Sequence, residues 1–403
     1  MFQLRYGLFL GVLVLVSLLS VICLGQKIDS IAAKGVSESL SVDRGNISLW
    51  LPLVTNRAQF PQVTHGITFT QIATSSALPR VLFASTSNSL TPIYSLDGGY
   101  NWQTISTASW GVVDNVNVAI APKIDQGVRL LVGTKRGNRD YRDAPGIFRS
   151  GDYGATWAKV DMPMLSSPYG QGHQWQVVAS PKSPRRLYLS RVYPYEVDRF
   201  YGTGPSSKLY TSTDAGLTWT DITPPMGYGW LAVFDTVLPS NVLEDQVYVG
   251  YSPYGAHDFW RSDDGGHTWS GIDNLPMGTY PLLQLDGYDS NKLYAFNSRG
   301  GFTSINGGTT WISWAHQPCS EVNFQQLWAS PSVGNFLLTL CSDGVYRSYD
   351  GGDNWEHLSS RSGQLFAADY GSPGRILWAR EDGLWASENR GSSWEQLTVN
   401  MNP

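Results

Sequence analysis

Seven copies of one short box, S-x-[DN]-x-G-x-[STN]-W, punctuate the chain, starting at Ser95, Ser150, Ser212, Ser262, Ser304, Ser348 and Ser387. Successive starts lie 55, 62, 50, 42, 44 and 39 residues apart. A supersecondary unit repeated at this spacing cannot bury its own apolar face. It must stack on its neighbours, as in a solenoid or the blades of a propeller.

The same plan surrounds each box. The sixth copy reads QQLWAS, a Ser-Pro turn, NFLLTL, GVYRSYDGGDNW and EHL, and the fifth reads YPLLQL, KLYAF, GGFTSINGGTTW and ISW. Short runs of Leu, Val, Tyr, Phe and Trp bounded by Gly, Pro, Asn and Asp signal strands, and no long helical period intervenes. The pattern predicts an all-β chain, a single seven-bladed β-propeller with four-stranded antiparallel blades.

Turn chemistry accounts for the box. Asp97, Asp152, Asp214, Asp264 and Asp350 are placed to accept hydrogen bonds from amides two residues on, and Asn306 and Asn389 can do the same through their amide oxygens. The glycine two residues later supplies positive φ. Thr156, Thr218, Thr268 and Thr310 are expected to begin the fourth strand, where a branched residue suits a pleated surface. The seven box tryptophans offer broad apolar faces for packing at each blade's edge.

This repeat resembles the Asp-box, or BNR repeat. It is found in sialidases, xyloglucan-degrading hydrolases, sortilin-type receptor domains and photosystem II stability/assembly factors. The resemblance covers residues 60–400 and implies a β-propeller. It leaves function open, because one fold carries unrelated activities.

Charged residues make up 15% of the chain and its net charge is −5, with no Lys/Arg-rich run to neutralise phosphates, which argues against a nucleic-acid partner. Residues 7–25 are uncharged and strongly apolar, so 1–25 reads as a signal peptide or signal-anchor. Residues 26–48 read as a polar tether and 49–403 as the propeller. The expected protein is exported, secreted or held at the cell surface, touches a membrane only through its N-terminal segment and is a monomer. Cys23 lies in the apolar segment; Cys319 and Cys341 are expected to form a disulfide, as an even pair in an exported chain usually does.

With the boxes on one face of the disc, the loops from second to third strands and those between blades lie on the other, upper face. Long upper loops occur in blades two, three and four, starting near Lys135, Arg191 and Tyr251. Such loops are where ligand sites concentrate. Arg142, Trp175, Tyr195, Arg199, Tyr201, Trp230 and Tyr254 are the candidate ligand-binding residues, since aromatic faces beside guanidiniums and carboxylates suit sugar rings or a peptide. His173 and His257 belong to no spaced ligand set, so neither a metal nor a cofactor is expected.

Glycoside hydrolysis needs two carboxyl groups across the scissile bond. Glu196, Asp198, Asp140 and Asp258 are the candidates. The Arg-Ile-Pro element of sialidases has no counterpart in LPRVLFAS, and blade one carries ASTSNSLTP where xyloglucan-degrading relatives carry an aspartate-glycine motif. The sequence therefore favours a non-catalytic propeller binding a glycan or protein on its upper face. The alternative is a cell-surface glycoside hydrolase, sialidase- or xyloglucanase-like.

Overall fold

The computed structural model describes residues 68–402 apart from short breaks and several connections, the longest being 106–114, 136–146, 161–173, 193–207 and 226–233. All described residues belong to the unit Gln62–Pro403. Seven blades follow in chain order, spanning 69–104, 115–159, 174–221, 234–272, 282–313, 324–359 and 365–396. Each has four antiparallel strands in simple sequence order, as in blade six: Phe324–Ala329, Leu337–Cys341, Gly344–Ser348 and Glu356–Ser359. One residue pair, Lys135 with Gln174, joins blades two and three into a continuous sheet.

The second strand of each blade lies within the core. In blades five, six and seven, Leu293–Asn297, Leu337–Cys341 and Ile376–Arg380 are buried at every position. Their runs are therefore mostly apolar rather than alternating, broken by the buried Asn297, Thr339 and Arg380. The resulting clusters are shared between adjacent blades. Tyr188 of blade three packs with Phe234, Val247 and Val249 of blade four, and Trp314 of blade five with Leu327 and Leu337 of blade six.

The boxes form the turns from third to fourth strand, with hydrogen bonding that differs from the sequence expectation. The carboxylate receives amides three and four residues on: Tyr100 and Asn101 donate to Asp97 Oδ1 at 3.1 and 2.9 Å. The serine hydroxyl donates to the same carboxylate and accepts the glycine amide, as Ser212 does with Asp214 and Gly216, both at 2.8 Å. The box threonines do not begin the outer strand, which in blade three is Thr220–Asp221. The Thr310 hydroxyl accepts from the Asn306 side-chain amide, whereas those of Thr156, Thr218 and Thr268 donate to the box carboxylate, Thr218 to Asp214 and Thr268 to Asp264 at 2.6 Å. Asn101 and Asn354 do the same through their side-chain amides, which explains why Thr and Asn alternate there.

Every box also docks on the turn between the first two strands of its own blade where that turn is described. Gly98 donates to Arg80 O, Gly265 to Asp245 O, Gly307 to Asn291 O and Gly351 to Asn335 O, at 2.7 to 2.9 Å. Both sets of turns thus share one face, the lower face. The connections from second to third strands, and those between blades, lie on the opposite, upper face.

A cation from one blade reaches the box side of the next. Arg186 pairs with Asp245 at 2.6 Å, Arg261 donates to Asn291, Lys292 to Asn335, Arg347 to Arg390 O and Ser392, and Arg375 to Gly98 O at 2.9 Å. Gly98, at a φ of +80°, leaves room for this arginine: a Cβ there would stand 2.7 Å from Arg375 Nη1. Between blades one and two, Tyr94 stacks on Tyr153 instead, with centroids 5.8 Å apart.

Blade seven is complete from its own strands, and the ring is tied by Asn400–Asn402, which pairs in parallel with Asn101–Thr104 of blade one. Cys319 and Cys341 form a disulfide, with Cα atoms 5.8 Å apart, that ties the connection entering blade six to the upper end of its second strand.

Candidate functional site

The lower-face boxes leave little chemistry free, since their carboxylates are held by hydrogen bonds. Donation from Thr156 and Ser150 keeps Asp152 below the usual carboxylate range, and donation from Thr268 and Ser262 does so more strongly for Asp264. Asp214 and Asp350 are lowered as well, their box hydrogen bonds outweighing desolvation. These groups remain anionic and serve the turn.

Of the residues expected on the upper face, Arg142, Tyr195, Arg199, Tyr201, Trp230 and Tyr254 lie outside the described residues, as do Glu196, Asp198 and Asp140. Two predicted residues are placed by their backbone. Trp175 lies in the first strand of blade three, opposite Arg191, and Asp258 opens the third strand of blade four, opposite Tyr251.

Blade four brings a further acidic residue to the same edge. Phe234, Tyr251 and Asp258 stand level across its first three strands. Strand neighbours are about 4.8 Å apart, which separates the Phe234 and Asp258 backbones by about 10 Å. The register shifts between Phe234 and Thr236, leaving Asp235 as the extra residue of a bulge at the inner strand's upper end. Bulges cluster beside functional sites because they redirect a side chain. The first strands of blades one and six are shifted in the same way, between Phe69 and Gln71 and between Phe324 and Gln326. A recurring Phe followed by polar residues (FTQ, FDT, FQQ) was the available sequence signal.

The tight upper turn of blade seven holds the most elaborate described cluster of this face. Asp382 accepts Arg380 Nη2 at 2.7 Å and the Trp385 indole N–H at 3.0 Å, and Arg361 Nη1 approaches it at 3.9 Å. Arg380 is 6% exposed and its guanidinium carbon lies 4.9 Å from the Trp378 ring centre and 4.5 Å from that of Trp385. Burial lowers its pKa from the ordinary arginine value, opposed by Asp382 and reinforced by repulsion from Arg361. In blade six the corresponding turn places the Tyr346 hydroxyl on Asp343 at 2.9 Å, with the Tyr346 and His357 ring centres 4.9 Å apart.

At the axis, a cavity of about 260 Å³ is lined by the inner strands and the turns that follow them, including Ile72, Val178, Leu238, Leu285, Trp328 and Phe366. Most of its lining residues are apolar, Thr74, Asn241 and Gln284 being the polar ones, yet nearly half of the exposed wall is polar. Among the described residues, no group of three or more His, Cys, Asp or Glu side chains could hold a metal ion.

No protein-family model matches the chain. It is 26% identical over 337 residues to the xyloglucanase Xgh74A of Acetivibrio thermocellus, an alignment covering 70% of this chain and 38% of that protein. To a xyloglucanase from a Paenibacillus species it is 23% identical over 334 residues, covering 70% and 31% respectively. The chain thus spans less than two fifths of the length of these curated relatives. Among solved structures, an ancestral GH74 enzyme superposes with a TM-score of 0.56 at 16% identity, covering 83% of this chain and 47% of that one. YCF48 from Cyanidioschyzon merolae superposes with a TM-score of 0.54 at 13% identity, covering 82% and 98%. The chain is a seven-bladed β-propeller of four-stranded antiparallel blades whose sequence relatives include xyloglucanases and whose structural relatives include GH74 and YCF48 propellers.

Proposed function

We propose that this chain is a glycoside hydrolase-type propeller that engages a xyloglucan-like polysaccharide on its upper face. The observation that carries this reading is sequence similarity to xyloglucanases along 70% of the chain. It reverses the preference drawn from the sequence, in which binding without turnover led and hydrolysis was the alternative. The chemistry calls for an acid and a second carboxylate, either a base or a nucleophile, flanking one glycosidic bond. Asp258 and Asp235 share the upper edge of blade four and are the first pair to test, followed by Glu196, Asp198 and Asp140. The reading also has the protein exported and monomeric, with the 7–25 segment as its only membrane contact.

Incubation of the full chain with xyloglucan, followed by reducing-end release against a heat-killed control, tests this directly. Release is expected, with Asp258→Asn or Asp235→Asn lowering turnover by at least about a hundredfold while xyloglucan binding survives. Loss of the hydrolase reading would follow from binding without release by the unaltered chain.

That outcome belongs to a second reading, a non-catalytic glycan binder. One observation favours it: blade one's upper connection, ASTSNSLTP, contains no carboxylate.

A further inference from the structure

We propose that the upper turn of blade seven is a subsite for a carboxylate-bearing sugar, a uronate unit of a polysaccharide, taken by Arg361 and Arg380 beside Trp385. The proposal rests on reading the upper face as polysaccharide-binding and adds the class of substrate. It concerns a blade that the sequence did not single out, because its loop, REDG, is short.

Two guanidiniums share one carboxylate here. Arg380 is close to Asp382 at 2.7 Å, whereas Arg361 is held only at 3.9 Å and its side chain is 64% exposed. The two cations are near enough to repel one another, and that repulsion disfavours the charged form of Arg380. Asp382 is already engaged by Arg380 and by the indole N–H of Trp385, so its capacity to neutralise a second cation is reduced. Arg380 Nε is buried and has no hydrogen-bond partner, and neither has the buried indole N–H of Trp378 beneath it. A second anion at the exposed Arg361 would relieve that repulsion and give this guanidinium the close partner that Asp382, at 3.9 Å, does not supply. Glu381, next in the chain, is exposed and takes no part in the contacts around Asp382.

The surroundings select a sugar acid over a free inorganic anion. Trp385 is partly exposed, with one face against Arg380, and offers apolar surface at the edge of the charged group. Gln396, whose side-chain amide donates to Asp382 O at 2.7 Å, rigidifies the turn. A uronate presents one carboxylate, a rim of hydroxyls and an apolar ring face, which matches guanidinium, carboxylate and indole in that order. A neutral sugar would use the indole and Asp382 but would leave the surplus cation unanswered.

The test is calorimetric titration of the full chain with an oligogalacturonate and, separately, with a neutral xyloglucan oligosaccharide, at low and high salt. The uronate is expected to bind more tightly, and its affinity to fall with salt. Arg361→Gln should weaken the uronate about tenfold, as expected for loss of one charge-assisted contact, and leave the neutral oligosaccharide unchanged. Asp382→Asn should strengthen the uronate by removing the internal counter-charge, a change that a merely structural aspartate would not produce. Equal binding of the two oligosaccharides, or an unaltered uronate affinity in Arg361→Gln, overturns the subsite while leaving the upper-face reading intact. If neither oligosaccharide binds, both fail. Inorganic phosphate or acetate competing as well as the uronate would overturn the sugar assignment in favour of simple anion binding.

Discussion

At the residue scale the box is a hydrogen-bonding device whose acid must stay ionised. The carboxylates of Asp152, Asp214, Asp264 and Asp350 are all held below their ordinary range in the folded chain. A carboxylate with a depressed folded value contributes stability that is present above its unfolded value of about 3.9 and is lost as pH falls through the folded one. Stability in urea is therefore expected to be level from neutrality down to about pH 4 and to decline below it. Asn306 and Asn389 are natural controls. Their side-chain oxygens accept the amides of Thr310 and Ser393 at 2.9 and 2.8 Å with no charge to titrate. Replacing the four aspartates by Asn should flatten the acid limb of a pH series of urea midpoints; an unchanged limb would show that the boxes do not govern acid stability. Positive φ at the residue after the box Asp or Asn is accepted even without glycine, at Tyr153, Ala215 and Arg390. Such a backbone costs roughly 1–2 kcal/mol, so the box bonds must over-determine the turn.

At the scale of elements, strand existence and turn position were legible in the sequence because each apolar run is bounded by Gly, Pro, Asn or Asp. Hydrogen-bond register was not. The bulges after Phe69, Phe234 and Phe324 arise from how an inner strand meets its partner. The recurring Phe-polar pattern marks where the three bulges fall, but only the pairing of the inner strand with its neighbour leaves Asp235 unpaired. Cys319 and Cys341 were legible as a pair, and their meeting requires only that the connection entering blade six and the end of its second strand share the upper face. The Cys319–Cys341 bond closes a loop of 22 residues in sequence separation. In the chain-entropy account that is worth about 3 kcal/mol, so reduction should lower the unfolding free energy by that order and destabilise blade six first. Hydrogen exchange that quickens uniformly around the ring on reduction would contradict a local effect.

At the scale of the whole molecule, a propeller has to close, and among the described residues an apolar cluster shared by blades one and seven, with Phe69, Leu82 and Trp102 against Leu377, Leu384 and Leu397, is joined by two polar contacts. The parallel pairing of Asn400–Asn402 with blade one supplies backbone hydrogen bonds, while Arg375, 2% exposed, carries a buried bond from blade seven to Gly98 O and a 2.7 Å pair to Glu388. Arg375→Ala is expected to destabilise by about 2–4 kcal/mol, since it leaves a buried carbonyl without its donor. Hydrogen exchange should then rise along residues 101–104 more than in blades three to five. Equal protection everywhere would mean that closure is not the weak seam.

The sequence alone determined the blade count, the strand order, the lower-face turns and the cysteine pair, because each depends on local chemistry repeated at a readable period. Only the tertiary structure decided which cation reaches which neighbouring box, which inner-strand residue is bulged, and which short upper turn gathers two arginines around one aspartate. These depend on residues far apart in the chain meeting across blade junctions: Arg375 and Gly98 are 277 positions apart. A periodic pattern specifies the unit and its number, whereas contacts between units depend on geometry that no single repeat encodes.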